Sequence, residues 1–219
     1  MSDNAKGFTL LGRTGMAARV AQDIPAGWYV NLGIGIPTLV ADHVPPEREV
    51  VLHSENGILG MGPAPEPHKE NPWLINASTQ RVTIRAGGSY VDHASSFAIV
   101  RGGHLDLCVL GGFQVAKNGD LANWAQSASD VGRQIGGAMD LAVGAKRVWI
   151  VMEHVTKDGR PRILERCTYP LTAARCVSRI YTNLAVLDVT PDGLAVVDMV
   201  AGLSFDELQS RTEATLRKL

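Results

Sequence analysis

The strongest constraint on the fold is a repeated unit in which a short apolar strand runs into a glycine turn and then a helix. Trp28–Gly33 reads as a strand and Gly33-Ile34-Gly35 as the turn. Pro37 suits the first position of a helix over Thr38–Val44, which Pro45-Pro46 stops. Glu49–Ser54 is a second short strand, entering a glycine-rich stretch from Glu55 to Gly62. Leu105–Gly111 reads as a buried strand, Gly136–Val143 as a helix and Arg147–Met152 as another strand. Upstream, Met16, Ala17, Val20, Ala21 and Ile24 fall at helical spacing within Arg13–Ile24, and Gly27 ends that helix. The chain holds 23 glycines, which supply the positive φ that such turns need. Recurrent units of this kind predict an α/β fold with an open, largely parallel sheet flanked by helices.

The remaining segments are less regular. Pro63–Pro72 reads as an exposed loop, Arg81–Ile84 as a strand and Ala94–Val100 as a helix. Leu184–Val189 and Leu194–Val200 flank Thr190-Pro191-Asp192-Gly193, a hairpin signal. Ser204 and Glu207 are spaced as a capping box for a C-terminal helix placed over 203–219. Residues 1–12 are expected to be flexible, with 1–219 forming a single domain.

Composition removes several function classes. A formal charge of −1, from 21 basic and 22 acidic residues with no basic stripe, argues against a nucleic-acid partner. No run approaches the roughly 18 to 20 apolar residues of a membrane span, and no apolar signal core follows the polar Met1–Lys6. A cytoplasmic protein is expected. Cys108, Cys167 and Cys176 form no CxxC pair, and the histidines show neither HExxH nor His–Cys spacing, so no metal site is expected. Cys108, inside the apolar run Leu105–Leu110, reads as a buried, inert thiol.

Four clusters can carry chemistry, and each also has a purely structural reading. Asn31-Leu32-Gly33-Ile34-Gly35-Ile36-Pro37 is either a tight turn or a backbone site for an anion or oxyanion. It lacks the third glycine of a dinucleotide fingerprint. In His53-Ser54-Glu55-Asn56-Gly57, Glu55 falls beyond the carboxyl end of a strand, where open α/β sheets bind ligands, and small residues let a substrate approach closely. His53 reads as a satisfied structural histidine rather than a base. Gly111-Gly112-Phe113-Gln114-Val115 with Gly119–Trp124 supplies amide and acid groups, or a turn that satisfies its own backbone. Gly136-Gly137 opens a helix, either for close packing or to let a pantetheine arm pass.

In combination these motifs are more specific. SENGILGMGPAP, preceded by VNLGIGIPTLVA and followed by GGFQV, GDLANW and IGGAMDLAVGAKRV, resembles the B subunit of the family I 3-oxoacid CoA-transferases, from about Arg13 to about Leu208. Cys167–Thr172 and Cys176–Gly193 look most like the branch that moves CoA from succinyl-CoA to 3-oxoadipate in aromatic degradation. The resemblance implies a fold of the CoA-transferase and NagB-RpiA-like type, with Glu55 as the covalent nucleophile. It implies that Asn31 helps an oxyanion site and that Gly136 lies near the thioester. Gly33, Gly35, Gly57, Gln114, Gly136 and Gly137 are the candidate CoA-binding residues. Coenzyme A would be substrate and covalent intermediate, with no permanently bound cofactor. The resemblance also implies an A subunit of similar size, in an A2B2 assembly with the active site between the two halves.

A glutamate ionised at neutral pH can attack an acyl-CoA thioester without a general base. Trp124–Gln134 differs from the IPGK-containing form common in the acetoacetate branch, which favours another acceptor. A cationic group from the A subunit or from the loop before Gly136 would select a dicarboxylate. Alternatives are an acetoacetate or other short-acid transferase, a thioesterase, and a non-catalytic sugar-phosphate or nucleotide-binding module.

Overall fold

The computed structural model describes residues 7–127, 129–130 and 134–218. Its first elements are helix α1 (Arg13–Asp23), strand β1 (Tyr29–Leu32), a 3-10 helix over Pro37–His43, β2 (Val51–Ser54), β3 (Ile58–Met61) and β4 (Ile84–Tyr90). Helix α2 (His93–Arg101), β5 (Leu107–Gly111), β6 (Gln114–Ala116), β7 (Leu121–Ala122) and α3 (Ala138–Gly144) follow. The chain continues through β8 (Val148–Met152), β9 (Ile163–Leu164), β10 (Val177–Thr182), β11 (Ala185–Thr190), β12 (Gly193–Met199), α4 (Phe205–Ser210) and β13 (Leu216–Lys218).

Among the described residues, ten strands form one sheet in the order β13-β12-β11-β10-β8-β5-β1-β2-β3-β4. Its five central strands, β10 to β2, run parallel, and antiparallel pairs continue the sheet on both sides. The expected open, largely parallel sheet therefore holds at the centre, where neighbours are joined through helices or long connections. A smaller sheet, β7-β6-β9, lies beside it. Alternation along the central strands divides the core. Cys108, Leu110, Val148 and Ile150 pack on the face covered by Val100 of α2 and Leu141 of α3. Leu107, Val109, Trp149 and Val151 pack on the face covered by Met16, Ala17 and Val20 of α1.

Several expectations need correction. Thr38–Val44 is 3-10 rather than α: the element spans Pro37–His43 and carries i to i+3 bonds such as the Leu39 N–H on the Ile36 carbonyl at 3.1 Å. The glycine-rich stretch after Glu55 contains β3, which hairpins back on β2 with Ser54 opposite Ile58. The strand expected at Arg81–Ile84 begins only at Ile84, and Arg81 makes just an isolated bridge to Ile75. Strands β6, β7, β9, β10 and β13 carry no sequence signal of their own, because segments of two to six residues show little periodicity. The C-terminal helix over 203–219 shrinks to Phe205–Ser210. Its Ser204–Glu207 capping box forms, but Leu216–Lys218 is a strand beside β12. Of the N-terminus expected to be flexible, residues 1–6 lie outside the described residues. Phe8 is buried in the core and the Leu11 N–H bonds the Asn183 carbonyl, so that part is docked. The hairpin at Thr190–Gly193 forms as expected.

Candidate active site

The parallel strands all end at one edge of the sheet, and that edge carries a cavity of about 560 Å³. Its walls come from the segments that follow β1 (Gly33, Ile34, Ile36), β2 (Glu55), β5 (Gly111, Gly112, Phe113) and β8 (Glu153), together with Gly136 and Gly137 before α3. Such an edge is where open α/β sheets bind ligands.

Glu55 starts the three-residue loop Glu55-Asn56-Gly57 between β2 and β3, closed by the Gly57 N–H on the Ser54 carbonyl at 2.9 Å. Only glycine fits at position 57: its φ is +115°, and a Cβ there would lie 2.2 Å from the Val91 carbonyl oxygen. The tight loop aims Glu55 into the cavity. Burial pushes its carboxyl above the usual carboxylate range, and the neighbouring His93 partly opposes that. A poorly hydrated carboxylate is a stronger nucleophile than one in water. On its other side lies Gly137, where an added Cβ would come within 3.3 Å of Glu55 Oε1 and 2.7 Å of Phe97 Cζ. His93, Phe97 and Arg101 stack along one face of α2, and Arg101 forms a bidentate pair with Asp140 of α3. The packing of α2 on α3 therefore fixes the floor beneath Glu55.

Asn31 is 1% exposed and does not line the cavity. It sits between His53 and Cys108 in the sheet register. Its Nδ2 donates to His53 Nδ1 at 3.0 Å, and the Cys108 thiol points at its Oδ1. With Nδ1 accepting, His53 carries its proton on Nε2 and donates it to Ser96 Oγ at 2.9 Å. Burial lowers the His53 pKa to about 4, so it is a neutral structural histidine near the carboxyl end of β2 rather than a general base. Cys108 is fully buried, and burial pushes its thiol well above the usual range, consistent with an inert thiol.

The other candidates separate. Gly33, Gly136 and Gly137 line the cavity; Gly35 and Gly57 do not. The Gly33 N–H is already bonded to the Val109 carbonyl at 2.8 Å, and Gly35 turns the chain with a φ of +96°. Gln114, the first residue of β6, does not line the cavity, because its amide is spent on the Thr168–Tyr169 loop. Its Oε1 accepts from the N–H groups of Thr168 and Tyr169, and its Nε2 donates to Thr168 Oγ1. Gln114 thereby anchors a loop and lines a smaller neighbouring pocket. Part of the loop before Gly136, residues 131–133, lies outside the described residues. Sequence reasoning missed Glu153 and Arg162, both in the cavity wall. Glu153 had a readable signal, since it directly follows the fully apolar strand β8, as Glu55 directly follows β2. Arg162 had none, because tertiary contacts bring it there.

Comparisons with known proteins place the chain in a family. The Coenzyme A transferase family signature matches residues 13–209, and the chain belongs to that family. It is 57% identical over 206 residues to the B subunit of the 3-oxoadipate CoA-transferase of Acinetobacter baylyi, covering 94% of this chain and 95% of that protein. It is 46% identical to the human mitochondrial succinyl-CoA:3-ketoacid coenzyme A transferase 2, covering 91% of this chain but 39% of that protein. An acyl-CoA transferase apoenzyme from Escherichia coli O157:H7 shares the fold, with a TM-score of 0.74 at 20% identity over 96% of this chain and 42% of that one.

Proposed function

We propose that the chain is the B subunit of a 3-oxoadipate CoA-transferase that carries CoA on Glu55. The observation that carries this reading is a half-buried glutamate at the end of a parallel strand, poorly hydrated and facing a cavity of about 560 Å³. Identity of 57% to the corresponding subunit of an enzyme with that activity supports the substrate.

The Glu55 carboxylate attacks the thioester carbonyl of succinyl-CoA, forming a mixed anhydride as the C–S bond breaks and CoA thiolate leaves. The thiolate returns to the glutamyl carbonyl, succinate departs, and a glutamyl-CoA thioester remains. 3-Oxoadipate then attacks that thioester, and the same two steps run in reverse. No net proton is consumed. Gly136 and Gly137 leave room for the thioester beside Glu55, and Gly33 for its passage along β1. Asn31 acts through His53 on the position of β2, while Gly57, Gly35 and Gln114 hold the loops around the site. The apolar side chains that line the cavity, among them Ile34, Ile36, Leu110 and Phe113, keep water from the thioester.

The chain matches 39% of the single polypeptide of the human relative, which supports a separate A subunit completing the site here. An A2B2 assembly in the cytoplasm is the arrangement we propose. The test is intact-mass analysis of the reconstituted A–B pair after incubation with succinyl-CoA. One CoA less water should be attached to Glu55 and removed by hydroxylamine. A competent pair that never acquires the adduct contradicts the reading.

A further inference from the structure

We propose that Arg162 receives the distal carboxylate of the dicarboxylic acyl group and so sets the preference for dicarboxylic over monocarboxylic acids. This rests on the transferase reading above. Arg162 lines the same cavity as Glu55. Its Nε is buried with no hydrogen-bond partner, and its guanidinium forms no ion pair among the described residues. Among the described residues, no other buried side-chain nitrogen or oxygen is left without a partner. Glu153 lines the cavity too, and Glu213 shares the adjoining pocket with Arg162, but neither forms an ion pair with it; Glu213 Oε1 accepts from the Glu165 N–H instead. A buried donor without an acceptor is unfavourable, and the planar guanidinium matches a carboxylate in two-point geometry.

Position fits as well. Glu55 follows β2, while Glu153 follows β8, and the carbonyl of its neighbour His154 accepts from the Arg162 N–H at 3.2 Å. Strands β8 and β2 lie three steps apart in the sheet. His53 of β2 is level with Val148 of β8, so β8 runs three residues further than β2. At about 4.8 Å per step across the sheet and about 3.3 Å per residue along it, the two strand ends are roughly 17 Å apart, and Glu55 and Arg162 both line the cavity between them. That leaves a span suited to a short acyl chain with a carboxyl group at each end. Arg162 is also fixed in place, since its carbonyl accepts from the Val115 N–H at 3.0 Å. His154 is held in turn by Thr182, Thr212 and Asn183. A receptor held rigid before binding loses little freedom when ligand arrives.

The test uses the A–B complex loaded as the glutamyl-CoA thioester, with single-turnover discharge by 3-oxoadipate, succinate, acetoacetate and acetate. Arg162→Met should slow discharge by the two dicarboxylic acids about 100-fold, with less than about threefold change for the two monocarboxylic acids. Arg162→Lys should recover part of the dicarboxylate rate. Equal loss with all four acids, as expected if the guanidinium held a CoA phosphate or only supported the fold, overturns the assignment. So does no loss with any. A wild-type complex that forms no thioester at all removes the transferase reading itself, and this inference with it.

Discussion

The two walls of the cavity are built differently. The wall bearing Glu55 is local: three residues join β2 to β3, and the glycine that permits the turn lies two positions from the glutamate. The wall bearing Glu153 and Arg162 is assembled from distant chain, with Arg162 between His154 and Val115 and the whole segment braced from Thr182 and Thr212. Yet each hangs on a fully buried histidine with both ring nitrogens bonded: His53 behind Glu55, His154 behind Arg162. Reactivity thus sits on a short, tightly specified loop, and recognition on a wall that tertiary packing can reshape without moving the nucleophile.

Removing the nucleophile should break the comparison most completely. Glu55→Gln keeps size and packing but cannot form the anhydride, so turnover of the A–B pair should fall about 10⁴-fold or more. The same change should raise stability at neutral pH. Burial lifts the folded-state pKa of Glu55, so its charge opposes folding above that pKa, and the opposition disappears below the ordinary carboxylate range. Urea midpoints at pH 7 and pH 4 should show a gain for Glu55→Gln that shrinks on acidification. A destabilised variant at pH 7 would contradict this account of the site.

The histidines come next. Burial lowers the pKa of His53 and of His154 to about 4, well below the ordinary 6.5. The unfolded chain therefore binds these protons at a higher pH than the folded one. The stability they confer is complete above about pH 6.5 and lost as pH falls towards 4, amounting to roughly 3 kcal/mol for each. His154 Nδ1 meets Thr182 Oγ1 at 2.9 Å and Nε2 meets Thr212 Oγ1 at 2.8 Å; in the neutral ring one of the two nitrogens accepts, and protonation would destroy that bond. Either histidine changed to Gln should flatten the fall in urea midpoint between pH 6.5 and 4.5. The kinetic signatures should divide by wall. His53→Gln should slow discharge by every acid, whereas His154→Gln should fall mainly on the dicarboxylic acids.

Gly137→Ala should have a smaller effect, confined to the Glu55 side. The new Cβ would press on Phe97 and on the Glu55 carboxylate. A displacement near 1 Å costs about 100-fold in rate, with about 1–3 kcal/mol lost from stability by overpacking. Gly136→Ala adds a Cβ into open space and strains only its own φ of +55°, so its rate should fall less. Turnover of the two variants side by side checks this; a Gly136→Ala enzyme slower than Gly137→Ala would place the thioester nearer position 136 than the floor beneath Glu55.

The same division explains what the sequence could reveal. Strands β1, β2, β5 and β8 and helices α1, α2 and α3 were legible because each combines an apolar run with glycine or proline punctuation. Glu55 was legible because a carboxylate beyond an apolar strand and among glycines is unusual in the chain. Strands β6, β7 and β9, two or three residues each, owe their pairing to tertiary contact, and so the far wall they support was invisible. Gln114 was expected at the ligand because its motif is, but a motif does not say which of two adjacent side chains faces inward. Its bonds to Thr168 and Tyr169 decided it.

Asn31 offers the finest separation of local from transmitted effects. If it touched the oxyanion, Asn31→Ala should cost about 3–4 kcal/mol of barrier, as losing such a donor does, with little change in stability. The structure instead spends its amide on His53 and puts its side chain 1% exposed in the core. Asn31→Ala then leaves His53 Nδ1 without a donor, so stability should drop by about 1–3 kcal/mol. The rate should fall less than about 100-fold, and by a similar factor to His53→Gln, because both act on Glu55 through β2. Combining Asn31→Ala with His53→Gln should add little to either alone, since residues in one hydrogen-bond network are not additive. Additive losses in rate from the double variant would place Asn31 in contact with the reacting atoms.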